Sequence, residues 1–116
     1  RILQAKGSID YEEQISLCNQ LFESHPRLTE LYSKIYQYIM VDEFQDVSEQ
    51  NVRLIYSIAK HHGNIVVVGD DDQSIYSFRG GSNRFMLEFP DAFPDAKTVI
   101  MNDNFRSNDK ILNANP

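Results

Sequence analysis

Tyr38 to Asp46 read Y-I-M-V-D-E-F-Q-D, an apolar run that gives way to two adjacent carboxylates. Ile39, Met40 and Val41 beside Tyr38 have the pattern of a strand buried on both faces. Asp42 and Glu43 then fall where such a strand leaves its sheet. Neighbouring side chains on a regular strand point to opposite faces, so two adjacent acids serve one site only if the chain turns there. Open α/β sheets carry their ligands at the carboxyl ends of strands. An acid pair in that place supplies one carboxylate to a hard divalent cation, Mg²⁺ held partly through water, and one to orient or deprotonate an attacking water. Taken alone, the pair reads more readily as a solvated acidic loop.

Downstream of the acids, Asp46 or Ser48 can cap a helix that carries Leu54, Ile55, Ile58 and Ala59 on a face and closes in Lys60, His61, His62 and Gly63. Cations in a last turn, with glycine just beyond, suit the negative end of a helix dipole. The two histidines diverge on a helix, so they read as C-terminal charge and not as a metal site. Ile65 to Val68 is the next strand, an uninterrupted β-branched run. Strand, helix and strand make one right-handed parallel unit, with two strand ends side by side.

At the second end stand Gly69, Asp70, Asp71, Asp72, Gln73 and Ser74. Gly69 permits a tight turn, while Asp70 either helps the first acids hold a cation or bonds to backbone. Gln73 has the chemistry to donate to a phosphate oxygen and accept from a water, which would distinguish a nucleotide with its terminal phosphate from one without. Tyr76, Phe78 and Arg79 form an aromatic and basic cluster on which unpaired bases stack at about 1–3 kcal/mol each. Beside Ile75, the same alternation also suits strand core, and without context core is the better reading.

Upstream, Tyr11, Ile15, Cys18 and Phe22 recur at helical spacing with Leu21 widening the stripe, behind an Asp10 to Glu13 capping box. Ser24, His25 and Pro26 end that helix, and a second one presents Leu28, Leu31 and Ile35 with Pro26 tolerated at its start. Both read as packing elements, and His25 as a turn residue. Towards the other end, Phe85 to Phe89 reads as a short helix ended by Pro90. Phe89-Pro90-Asp91 and Phe93-Pro94-Asp95 read as turns, and Lys97 to Met101 as a third strand. Ser107 can cap a following helix. Before it, Arg106 has the planar fork to clamp a phosphoryl group and Phe105 the face to pack on a base, though either suits an ordinary salt bridge or a buried ring.

The chain has 116 residues, 41% hydrophobic and 24% charged, which fits one small globular domain or part of a larger one. A net charge of −6 excludes a general electrostatic grip on nucleic acid, so any such contact is local. The single cysteine, Cys18, excludes an internal disulfide and fits a reducing compartment. No apolar run has the length of a membrane span or a signal-peptide core. Opening on Arg1 without an initiator Met and closing at Pro116, the sequence reads as a piece of a longer protein.

Three strings taken together are far more specific than any one. V-D-E-F-Q-D at Val41 to Asp46, V-G-D-D-D-Q-S-I-Y-S-F-R-G at Val68 to Gly80 and N-F-R-S at Asn104 to Ser107 closely resemble the second, third and fourth motifs of superfamily-one DNA helicases of the UvrD, Rep and PcrA type, in order and in spacing. I-D-Y-E-E at Ile9 to Glu13 resembles the segment that re-enters the first motor domain after an inserted subdomain. The resemblance implies an α/β fold, a partial RecA-like (P-loop NTPase) parallel sheet flanked by helices and lacking the P-loop strand. Residues 1–8 would be a tail of the inserted subdomain, 9–103 the later part of the first RecA-like domain, and 104–116 the start of the connection to the second.

The resemblance also implies roles. Asp42, with Glu43, would hold Mg²⁺, and Glu43 would activate the water that attacks the γ-phosphate of ATP. Gln73 would contact that phosphate, Phe105 would stack on adenine, and Arg106 would offset developing charge, a role worth roughly 10³–10⁵ in rate in other phosphate-hydrolysing enzymes. Tyr76, Phe78 and Arg79 would lie along single-stranded DNA. Phe78 stands where the family usually has Trp and Phe105 where it usually has Tyr, changes that keep the π-face and lose a polar handle. The partners implied are single-stranded or partly duplex DNA and the remaining helicase domains, with a cytoplasmic setting and no membrane. No G-x-x-x-x-G-K-[S/T] loop occurs in the 116 residues, so the chain alone is expected neither to hydrolyse ATP nor to unwind DNA. The helicase part of a recombination helicase-nuclease is an alternative within enzymes, disfavoured by Asp71 and Asp72 where that branch tends to carry proline and lysine. A catalytically silent nucleic-acid-binding module is the alternative from another class.

Overall fold

The computed structural model describes residues 9–70, 84–101 and 103. Helix α1 (Tyr11–Ser24) begins at the expected capping box: the Asp10 carboxylate accepts from the Glu13 N–H at 2.7 Å, and the Glu13 carboxylate reaches back to the Asp10 N–H at 3.5 Å. His25 separates it from α2 (Pro26–Ile35), whose proline sits in the first turn where a missing N–H costs nothing.

The face that α1 buries differs from the expected stripe. Tyr11 and Cys18 are exposed, and Asn19 and Phe22 are buried with Ile15 half-buried beside them. Asn19 turns inward because Gln50 offers its amide two acceptors, the main-chain carbonyl at 3.0 Å and Oε1 at 2.9 Å. On α2 the expected face is likewise displaced: Leu31 and Ile35 are exposed, and Thr29 and Ser33 are buried. Their hydroxyls bond back to the carbonyls of Pro26 and Glu30 at 2.7 Å, which removes the penalty for burying them.

Helix α3 (Glu49–Ala59) is the element on which α1 and α2 both pack. Ser48 caps it, accepting from the Asn51 N–H at 3.3 Å, while Asp46 belongs to a short 3₁₀ turn, Phe44–Asp46. Gly63 ends the helix region at φ 71°, in the left-handed conformation that glycine adopts without strain, and its N–H donates to the Ala59 carbonyl at 2.7 Å. His61 and His62 do diverge: the first meets the Thr29 hydroxyl at 3.1 Å and the second the Tyr36 carbonyl at 2.9 Å.

Strands β1 (Ile39–Val41) and β2 (Ile65–Val67) flank α3 in sequence and pair in parallel, with Ile39 opposite Ile65, Met40 opposite Val66 and Val41 opposite Val67. The strand–helix–strand reading is therefore correct, and the β1 and β2 ends are adjacent. Burial on both faces is not. Val41 and Val67 point into a core of Phe44, Val52 and Phe85, but Met40 is 81% and Val66 54% exposed on the opposite face, which no described element covers.

Helices α4 (Arg84–Leu87) and α5 (Phe89–Ala92) close the other side of that core. Pro90 lies within the first turn of α5 and does not end a helix, again because that position has no bond for its N–H to make. Lys97 to Met101 do not form the expected third strand: Val99, Ile100 and Met101 are 83%, 77% and 83% exposed, and no described strand pairs with them. A strand exists only through a partner's ladder, so β-propensity by itself was insufficient here.

Candidate functional site

The acid pair sits on a turn, the condition for two adjacent carboxylates to face one site. Val41 accepts from the Val68 N–H at 2.8 Å, and the Val68 carbonyl accepts from the Phe44 N–H at 2.9 Å. A regular parallel ladder would return that carbonyl to Glu43, so the chain holds one residue more than the ladder needs. The extra residue is absorbed at Glu43, which adopts φ 50° and ψ 42°, the only non-glycine residue at positive φ among those described. Asp42 supports the turn through its Oδ1, which accepts from the Glu43 N–H at 2.9 Å. The strict alternation that would separate the two carboxylates is thereby broken. Both side chains are exposed at the mouth of the β1–β2 ends.

Beneath the turn, Phe44 is fully buried and meets Phe89 edge to face at 6.0 Å. The adjacent Gln45 is 2% exposed and spans the two strand ends. Its Nε2 donates to Glu43 Oε2 at 2.6 Å, and its Oε1 accepts from the Asp70 N–H at 3.1 Å. Gly69 leaves room for that carboxamide, since a Cβ there would lie 2.6 Å from Gln45 Oε1 and 2.7 Å from Met86 Sδ. Beyond its place in the V-D-E-F-Q-D string, Gln45 carries no role in the sequence reading. A glutamine flanked by Phe44 and Asp46 has no period to mark it as buried.

Of the predicted site residues, Asp42 and Glu43 are brought to the end of β1, and Asp70 stands close by at the end of β2 through its bond to Gln45. Gln73, Tyr76, Phe78, Arg79, Phe105 and Arg106 lie outside the described residues. No group of three or more His, Cys, Asp or Glu side chains that could cage a metal occurs among the described residues. Mg²⁺ does not ask for such a cage, because it commonly takes one or two protein carboxylates and completes its shell with water and substrate phosphates. An exposed Asp42 with one oxygen committed to backbone fits that mode. Elsewhere, a groove of about 420 Å³ between α3 and α4–α5 is lined by Val52, Tyr56, Phe85, Glu88, Asp91 and Ala92, none of them a predicted site residue.

A parallel strand pair with an acid turn at its carboxyl end is compatible with the nucleotide-hydrolysing class that the motifs suggest. Residues 1–94 match the profile of the UvrD/REP helicase N-terminal domain, and the chain belongs to that family. It is 40% identical over 114 residues to the ATP-dependent DNA helicase PcrA of Staphylococcus epidermidis (strain ATCC 35984), covering 98% of this chain and 16% of that protein. PcrA of Staphylococcus aureus (strain Mu50) is 39% identical over the same share of both chains. The protein YjcD of Bacillus subtilis (strain 168) is 39% identical over 93% of this chain and 14% of its own length. The chain thus spans 14–16% of these relatives.

Proposed function

We propose that this chain is part of the first motor domain of an ATP-dependent DNA helicase, which couples ATP hydrolysis to translocation on and unwinding of DNA. The observation that carries the reading is the left-handed turn at Glu43, directly after β1 and beside the end of β2, in a chain of this family. Strained backbone at a non-glycine residue persists where the surroundings hold it, and such places cluster at active sites. Family membership and the PcrA relatives support the same reading.

In this reading Asp42 holds Mg²⁺ and Glu43 takes a proton from the water that attacks the γ-phosphate. When bound, the metal would neutralise charge on the phosphate oxygens. Gln73 contacts the terminal phosphate, Phe105 packs on adenine, and Arg106 balances charge that builds in the transition state. Tyr76, Phe78 and Arg79 hold single-stranded DNA by stacking and by a phosphate contact. The phosphate-cradling loop comes from sequence outside these 116 residues, so the complete helicase is the form that turns over. The decisive experiment is Glu43→Gln in the full-length protein. Loss of DNA-stimulated ATP hydrolysis by about 10²–10⁴-fold, with ATP still bound, is expected for removal of a general base. Turnover retained at the parent level overturns the assignment.

A further inference from the structure

Gln45 is polar, central and inaccessible, and no role is assigned to it in the hydrolytic reading above. A buried carboxamide must satisfy a donor and an acceptor face, and the two partners here determine which way it points. The Asp70 N–H can only donate, so Oε1 faces β2; Nε2 therefore faces β1 and donates to the Glu43 carboxylate at 2.6 Å. The amide cannot rotate without losing both bonds. Gly69 and Met86 wall it in, the former because any Cβ would strike Oε1. Glu43 itself is exposed, and a long exposed side chain on a left-handed residue has several rotamers open to it. The bond from Gln45 selects among them. It occupies Oε2, while Oε1 makes no hydrogen bond to any described residue.

We infer that Gln45 is a positioning residue for hydrolysis: it fixes the Glu43 carboxylate so that one oxygen faces the attacking water, and it ties that geometry to the end of β2 at Asp70. The inference rests on the reading of Glu43 as the group that activates water. A shift of the β2 end at Asp70 is transmitted through a single amide to the Glu43 carboxylate.

The test uses the full-length helicase with Gln45→Met, which keeps length and burial and loses both hydrogen bonds. ATP turnover is measured with saturating single-stranded DNA and without DNA, alongside a thermal melt. A base displaced by about an ångström loses on the order of 10–100-fold in rate, so kcat with DNA should fall by that factor, with KM for ATP within about two-fold and less stimulation by DNA. Gly69→Ala, which pushes the carboxamide off its partners and leaves Gln45 in place, should give the same split and covers the case in which Gln45→Met does not fold. Adding Gln45→Met to Glu43→Gln should cost nothing further, because both act through one carboxylate. If Glu43→Gln abolishes turnover while Gln45→Met and Gly69→Ala leave kcat and DNA stimulation at the parent level, the positioning role is wrong and the hydrolytic reading stands. If Glu43→Gln turns over normally, the hydrolytic reading fails and the inference goes with it. A fall in melting temperature with kcat unchanged assigns Gln45 to packing alone and overturns the proposal.

Discussion

Glu43 combines an exposed carboxylate with a backbone conformation that L-residues avoid, since the left-handed region costs roughly 1–2 kcal/mol for a residue with a Cβ. Glycine does not meet that cost, although its greater freedom in the unfolded chain offsets part of the gain. Glu43→Gly and Glu43→Ala both remove the carboxylate that accepts from the buried Gln45, so the difference between them isolates the backbone: the glycine variant should be the more stable by about 0.5–1 kcal/mol, with a melting temperature a few degrees higher, while both abolish ATP turnover in the full-length protein. Scanning calorimetry paired with an ATPase assay checks both halves, and a glycine variant no more stable than the alanine variant would show that the turn carries no strain. Position 43 was legible as the end of a strand because an acid pair closes an apolar run. Its conformation was not, because glutamate carries none of the left-handed preference by which Gly or Asn would have announced the turn. Gln45 was illegible for the opposite reason: burial of a polar side chain is decided by partners distant in sequence, here Asp70.

Among the elements, the contact of α3 with α5 has a titratable centre. Tyr56 stacks edge to face on Phe89 and Phe93, at 6.2 and 5.1 Å between ring centroids. Its phenol is pushed above its ordinary range, mainly by burial and secondarily by the negative charge of Glu88. An acid whose folded pKa is raised is harder to ionise in the native state than in the unfolded chain. Stability is then full below the unfolded value of about 10 and is lost as pH rises from there through the folded value. Tyr56→Phe keeps the ring contacts and should remove this alkaline loss, which denaturant titrations at neutral pH and above about pH 10 would reveal. An equal loss in parent and variant would place the sensitivity elsewhere. Periodicity located α1, α2 and α3 and their caps, yet it misjudged which faces of α1 and α2 are buried. Asn19, Thr29 and Ser33 go inward because each finds a hydrogen-bond acceptor, information that no apolar stripe contains. Pro90 was read as a stop because proline both ends helices and opens them.

At the scale of the whole molecule, the two-stranded sheet has, among the described residues, one bare face and open edges. Parallel sheets are ordinarily covered on both faces, and an uncovered apolar face with unpaired edges invites association. Met40, Val66 and Val68 are exposed there, and the apolar run Val99 to Met101 is exposed without a described pairing partner. The 116 residues by themselves should therefore self-associate at micromolar concentration. Met40→Lys combined with Val66→Lys should shift sedimentation toward monomer, with both substitutions on the face opposite the core residues Val41 and Val67. A parent chain that sediments as a strict monomer and melts in one sharp transition would contradict this.

The sequence by itself determined the local grammar of this protein. It specified the capping box at Asp10, the proline start of α2, the Gly63 stop, the order strand–helix–strand and the placement of two acids after β1, because each depends on the intrinsic preferences of a few adjacent residues. Tertiary structure alone decided the left-handed twist at Glu43, the bridge from Gln45 to Asp70, the inward turn of Asn19 and the one-sided burial of the sheet. Those features arise where groups far apart in sequence compete for the same hydrogen bonds and the same apolar surface, and that competition is settled only when the elements pack.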